Sequence, residues 1–200
     1  MNNCQQRTAE LEKRGEELEK ALALVEKLAV TDSLTELHNR RYFDDIFSAA
    51  FPRVQRYKES ICLVLIDVDK FKQINDTLGH RAGDYVLQTL GKLFKARVRE
   101  SDALARLGGD EFAFLLYHSS PENAMKMASS CQAMVANHHF EFEGTPIKVG
   151  LSMGIASNVD APHSVQDMYG AADEALYEAK RRGRNQVVTY PFALNTDMPG

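Results

Sequence analysis

The chain has 200 residues, 44% hydrophobic and 26% charged, with a formal net charge of −4. That suits one ordinary domain with a packed core and a short appendage. The acidic balance excludes bulk attachment to nucleic acid or anionic lipid, since both require a basic patch; a small anionic substrate needs only a few placed cations and amides.

Residues 8–30 are rich in Glu, Lys, Leu and Ala, and Leu11, Gly15, Leu18, Leu22, Val25 and Ala29 alternate spacings of four and three. Residues 1–30 are therefore either a solvated helix capping the domain or a parallel coiled-coil stalk carrying a signal from an upstream sensory domain. A globular pattern begins at residue 31 and runs to about 191, leaving 192–200 as a frayed tail. Asn39 can cap a helix to Tyr57 with Phe43, Ile46, Phe47, Ala50 and Val54 on one face, and Pro52 predicts a kink or an early end. Residues 61–66 read as a buried strand, followed by a polar turn and a helix from about Gly83 to Val98 facing inward with Val86, Leu87, Leu90, Leu93 and Phe94.

Two apolar segments, 103–107 and 111–117, are joined by Gly108-Gly109, the composition of a tight hairpin whose turn needs positive φ. Ser120-Pro121 opens a further helix burying Ala124, Met127, Ala128, Cys131 and Val135. Residues 140–157 read as strands turning at Glu143-Gly144, Ser164 begins a helix to about Arg181, and 186–190 is a closing strand. The fold class is α+β, with helices packed on a mainly antiparallel central sheet. The three cysteines, Cys4, Cys62 and Cys131, show no Cys-x-x-Cys spacing. A reducing cytoplasm is therefore the expected compartment, with Cys62 and Cys131 as core residues. The longest apolar run, 61–66, is too short to cross a bilayer, so no membrane segment is expected in this chain.

The strand 61–66 runs into Asp67-Val68-Asp69-Lys70-Phe71-Lys72. Acidic residues at the carboxyl end of a rigid strand are a common way to hold a divalent cation. Asp110 and Glu111 follow the hairpin glycines. If that hairpin pairs beside the Asp67 strand, three carboxylates converge near two lysines, the arrangement of a Mg²⁺-plus-phosphate site.

Residues Arg106-Leu107-Gly108-Gly109-Asp110-Glu111-Phe112 match the signature of the GGDEF family of diguanylate cyclases, which the chain resembles from about 31 to 190. Further blocks agree in order: Asp32 to Arg40, Asp67 to Asp76, Gly79 to Asp84, and Ala172 through Tyr177 to Asn185. The resemblance implies a palm-like nucleotidyl-cyclase fold. It also implies an enzyme that condenses two GTP molecules into cyclic di-GMP and pyrophosphate as a homodimer, with two Mg²⁺ ions per site (Mn²⁺ as the alternative).

On the matching positions, Asp67, the Val68 carbonyl and Asp110 would hold metal, with Glu111 a further candidate ligand and catalytic residue. Asp110 would be the base for the attacking 3′-hydroxyl. Lys72, Lys180 and Arg184, with amides near Lys70 and Phe71, would grip the triphosphate, and Gly108 and Gly109 would let substrate approach the backbone. Asn75 and Asp84, with His80 nearby, would read guanine, because a carboxylate accepts from guanine N1–H and the 2-amino group but meets an acceptor at adenine N1. Asp84 could also cap the following helix.

Arg99-Glu100-Ser101-Asp102, five residues before the Gly-Gly pair, is either a surface salt bridge or the family's product-binding inhibitory site. The fixed offset favours the second. The next helix holds only one basic residue, Lys126, where inhibited relatives often add an arginine. Two other readings remain from the sequence: a degenerate sensor of cyclic di-GMP, and a cyclase making a 3′,5′ mononucleotide.

Overall fold

The computed structural model describes residues 29–159 and 164–191, together with 7, 10, 13–18, 21 and 25 of the N-terminal segment. Leu11 and Leu22 of the expected seam, Cys4, and the 192–200 tail lie outside the described residues. The described N-terminal positions are helical, and Leu18 and Val25 are 72% and 62% exposed. No described helix is long and apolar enough to cross a membrane.

A six-stranded sheet forms the centre, in the spatial order β1 (His38–Asn39), β3 (Ala103–Gly108), β4 (Glu111–Tyr117), β2 (Ile61–Asp69), β7 (Gly150–Ser157) and β8 (Val187–Thr189). The pairs β3–β4, β4–β2 and β2–β7 are antiparallel, whereas the two edge pairs, β1–β3 and β7–β8, are parallel. The expected mainly antiparallel α+β architecture is therefore present. A separate hairpin of β5 (Phe140–Phe142) and β6 (Thr145–Ile147) turns at Glu143-Gly144, so the region read as one set of strands divides between two sheets.

The central strand explains itself from its sequence. Residues 61–66 of β2 are buried without interruption, which a strand tolerates only when both sheet faces are covered. Cys62, Val64, Ile66 and Val68 join a core with α2 (Phe71–Leu78), α3 (His80–Lys95) and α4 (Pro121–Asn137). Ile61, Leu63 and Leu65 face the opposite core, built with α1 (Arg40–Tyr57) and α5 (Val165–Arg181). Strand alternation therefore assigns Asp67 and Asp69 to the α1/α5 side. Both cysteines within the described residues, Cys62 and Cys131, are buried as expected, and burial pushes the Cys131 thiol up to about 11.

Four sequence expectations change. α1 does not stop or break at Pro52 but continues to Tyr57, with Phe51 and Val54 buried on either side of the proline. The proline side is exposed, so the ring projects into solvent while the aromatic stripe Phe43–Phe47–Phe51 holds the helix to the sheet. The polar turn after β2 contains the helix α2, and the next helix starts at His80, three residues before Gly83. Asp84 does not cap it, because the N-cap is Gly79, which makes no side-chain cap bond. β2 extends to Asp69, so both aspartates belong to the strand itself rather than to a loop beyond it.

Packing of α5 onto β7 depends on Gly154. A Cβ there would collide with the Ala172 carbonyl and the Leu176 amide of α5, both rigid backbone. Gly154→Ala is expected to destabilise the fold by about 2–4 kcal/mol through forced separation of helix and sheet. Urea unfolding tests this, and a loss below about 0.5 kcal/mol would show that the contact relaxes at little cost.

Candidate active site

The site forms where β2 ends beside the β3–β4 turn. Gly108 and Gly109 take φ of 141° and 53°, a backbone that side chains resist, and the strand register shifts between Arg106 and Gly108. This shift lets the turn reach sideways, and the Val68 N–H donates to the Asp110 carbonyl at 3.2 Å. Asp67 lies opposite Glu111 on one side and Ser152 on the other. The aromatic residue of the turn, Phe112, is fully buried and meets Phe94 of α3 edge-on at 5.4 Å between ring centroids. It is a packing residue that fixes the turn to the core.

Arg106 fastens the same turn from outside. Its Nε and Nη2 donate to the Gly109 carbonyl at 3.0 and 2.8 Å, and Nη1 donates to both carboxylate oxygens of Asp32 at 3.1 Å. Burial opposes ionisation of Asp32, but the Thr35 hydroxyl and N–H and the Arg106 guanidinium outweigh it and hold the carboxyl below its ordinary value. Arg40 adds a second clasp, donating from Nε to the Leu107 carbonyl at 3.0 Å and from Nη2 to Glu111 Oε2 at 3.3 Å. Glu111 is thus engaged with Arg40. Among the described residues no three His, Cys, Asp or Glu side chains gather around a possible metal position. The expected convergence of three carboxylates is reduced to Asp67 and Asp110.

Asp67 is well enclosed, its side chain 15% exposed, and its Oδ2 accepts from Lys180 Nζ at 2.6 Å. Burial pushes its pKa up. The hydrogen bond and charge of Lys180 oppose that shift, while the negative charges of Asp110 and Asp69 add to it. Asp69 is committed elsewhere: Ser152 Oγ donates to Oδ1 at 2.6 Å and the Asn185 N–H to Oδ2 at 2.8 Å.

Beyond β2, Lys70 adopts a left-handed φ of 57° and caps α2 without a side-chain bond. The helix start is therefore open to an anion, and Lys72 is exposed in its first turn. Where α2 meets α3, Asn75 Oδ1 is buried with no hydrogen-bond partner, and Gly83 lies so close that a Cβ there would strike it. His80 and Asp84 are exposed nearby in chain position on α3, and Arg184 is exposed after α5 with a left-handed φ of 66°. The structure therefore brings Asp67, Val68, Asp110 and Lys180 together.

Arg99 and Asp102 stand apart, before the other end of β3. Together with Arg97, Tyr117, His118 and Asn123 they line a small cavity of about 80 Å³. Asp102 Oδ1 accepts from the Tyr117 N–H at 3.0 Å, which anchors the carboxylate, while Arg99 is exposed. Sequence reasoning quoted Arg40, Arg106 and Asp32 inside the motif blocks without giving them a role. The available signal was the placement of two arginines flanking a turn that exposes backbone carbonyls.

The site thus belongs to an α+β domain with carboxylates at the end of its central strand, a glycine turn pinned beside them and a helix start without a side-chain cap. A family model described as diguanylate cyclase, GGDEF domain, matches residues 29–186. The chain belongs to this family. It is 40% identical over 164 residues to a diguanylate cyclase of Vibrio cholerae, an alignment covering 82% of this chain and 50% of that protein.

Among solved structures, it resembles the coiled coil and GGDEF domain of DgcB from Caulobacter crescentus in complex with c-di-GMP. The TM-score is 0.86 at 30% identity, covering 94% of this chain and 100% of that one. The active GGEEF domain of a diguanylate cyclase from Vibrio cholerae gives 0.73 at 38% identity, covering 78% and 99%. The chain spans half or less of the length of the curated relatives it matches.

The divalent cation implied by the family suits the donors present. Mg²⁺ is usually held by one or two carboxylates completed by substrate phosphates, and Asp67 and Asp110 supply that number. Asp32→Asn should cost about 1–2 kcal/mol at pH 7 by loosening the Arg106 clamp, read by urea unfolding. Because the folded Asp32 carboxyl titrates below its unfolded value of 3.8, its contribution is fully present above that value and is lost as pH falls through the folded pKa. The gap between variant and parent should therefore close in acid; a gap that persists unchanged would sink the assignment.

Proposed function

We propose that this chain is the catalytic part of a diguanylate cyclase, condensing two GTP into cyclic di-GMP with release of two pyrophosphates. The observation that carries the reading is the Val68 N–H to Asp110 carbonyl bond, which fixes the turn carboxylate beside Asp67. A divalent cation held by Asp67, the Val68 carbonyl and Asp110 would supply positive charge against the phosphates and make the 3′-hydroxyl more acidic.

Asp110 takes the proton of that hydroxyl as it attacks the α-phosphorus of the opposing GTP, and pyrophosphate leaves. The amides at the start of α2, with Lys72, Lys180 and Arg184, hold the triphosphate. Asn75, whose Oδ1 is buried without a hydrogen-bond partner, would contact the guanine edge, and Asp84 would supply the second contact. Glu111, held by Arg40, shapes the turn rather than serving as the principal ligand.

Each domain offers one such site, and each GTP is both nucleophile and electrophile, so two copies must meet about a two-fold axis. The N-terminal segment would govern that meeting. Asn39 accepts from the Tyr42 N–H to start α1 while donating to the Ala29 carbonyl at 2.9 Å, and Arg41 reaches the same carbonyl at 2.8 Å. These bonds would pass a displacement of the segment to α1. Likeness to the solved coiled coil and GGDEF domain of DgcB supports a stalk; an upstream sensory domain and a cytoplasmic setting are part of the same proposal. Product would bind at Arg99 and Asp102, through the fork of the arginine and the anchored carboxylate.

With GTP and Mg²⁺ the chain should form cyclic di-GMP, with a rate per mole that rises with protein concentration. Asp110→Ala should lower synthesis at least about 100-fold while GTP still binds. Cyclic di-GMP binding with no turnover by the unmodified dimer would instead mark a sensor. Gly83→Ala should raise the GTP KM about tenfold or more by displacing Asn75, with little change in unfolding midpoint; an unchanged KM would remove Asn75 from the guanine site.

A further inference from the structure

Lys180 has two partners in prospect and one ammonium group. Here it is spent on Asp67, 2.6 Å from Oδ2. The pairing is enclosed rather than superficial, with side chains 33% and 15% exposed. Asp67 needs a cation at that place. It is flanked by Asp110 and Asp69, and Asp69 has both oxygens engaged by Ser152 and Asn185. Removing either partner of an enclosed pair leaves a charge uncompensated, so the site always requires one cation or another.

A divalent ion on Asp67 competes for the carboxylate already neutralised by Lys180. Two cations crowded there would repel each other, while a triphosphate alongside offers the ammonium a new partner.

Resting on the metal and triphosphate reading above, we infer that Lys180 is the resident counter-cation of Asp67, exchanged for a divalent ion on loading and thereby released to the substrate phosphates. The exchange couples the two ligands: metal frees Lys180 for phosphate, and phosphate frees Asp67 for metal. By linkage the two effects are equal in size. Metal affinity without nucleotide is held down by the same residue that raises affinity for nucleotide, so an empty site does not load strongly with metal.

The sign of one measurement tests this. Mn²⁺ binding to the full chain without nucleotide is followed by electron paramagnetic resonance at pH 8. Lys180→Gln should bind Mn²⁺ about tenfold more tightly than the parent, because the competitor is gone. Lys180→Arg, which keeps a cation, should stay within about threefold of the parent. Asp67→Asn should abolish Mn²⁺ binding. If Asp67→Asn leaves Mn²⁺ binding intact, the metal-site reading fails and the inference with it. If Asp67→Asn abolishes binding but Lys180→Gln binds Mn²⁺ equally or more weakly, the site stands and the exchange is overturned. Thermal unfolding of Lys180→Gln adds a second readout: its midpoint should fall below the parent's and rise with Mn²⁺ by more than the parent's does. An equal or smaller rise would also overturn the exchange.

Discussion

Everything at the site hangs on how the β3–β4 turn is held against the end of β2. A turn of two glycines is free to take many conformations, and nothing in its own composition would fix Asp110 beside Asp67. Four hydrogen bonds to backbone remove that freedom: the Val68 N–H to the Asp110 carbonyl, the two-pronged grip of Arg106 on the Gly109 carbonyl, and Arg40 on the Leu107 carbonyl. Phe112 secures the turn from beneath by packing edge-on against Phe94. The glycines keep substrate access open, while the arginines restore the rigidity that glycine gives up.

That rigidity brings negative charge together. Asp67, Asp69 and Asp110 interact, and burial raises the cost of keeping Asp67 ionised. The fold answers with different means at different positions. Asp69 is fixed by two hydrogen bonds, from Ser152 Oγ and the Asn185 N–H, while Asp67 relies on the end of a lysine side chain. A carboxylate tied to neutral donors of the framework is fixed; one tied to a flexible ammonium can exchange partners. This contrast separates a structural acid from a proposed ligand two residues away on the same strand face.

Much of this was legible in the sequence. The uninterrupted apolar run at 61–66 identified the central strand, and Gly108-Gly109 identified the hairpin, because both signals depend on backbone rules local to a few residues. The α2 helix was missed for a local reason too: its start is set by Lys70 in a left-handed conformation, and its apolar positions are sparse and mostly part-exposed. Pro52 does not end the helix, because packing of the phenylalanine stripe carries it on to Tyr57. Pairings across 70 or more residues, such as Arg106 with Asp32 or Arg40 with Glu111, have no local signature. The expectation of three converging carboxylates counted charges correctly and overlooked the arginine that claims one of them.

The two ends of the β3–β4 hairpin give these contacts a wider consequence. Asp102, next to the first residue of β3, is bonded to the Tyr117 N–H at the last residue of β4, so one end of the ladder carries the proposed product site. The other end carries the Gly-Gly turn. Asp32, which follows the N-terminal segment, grips that turn through Arg106, and Asn39 and Arg41 tie the segment's last carbonyls to α1. Within the six-stranded sheet, the two ends of this hairpin would thus face the proposed product site and the segment that would join this domain to a sensor. Either input needs to shift the turn only slightly, because Asp110 is positioned against β2 by one backbone bond. On this account the proposed regulation does not require the domain to change shape; it requires the arginine clamp to be the part that yields.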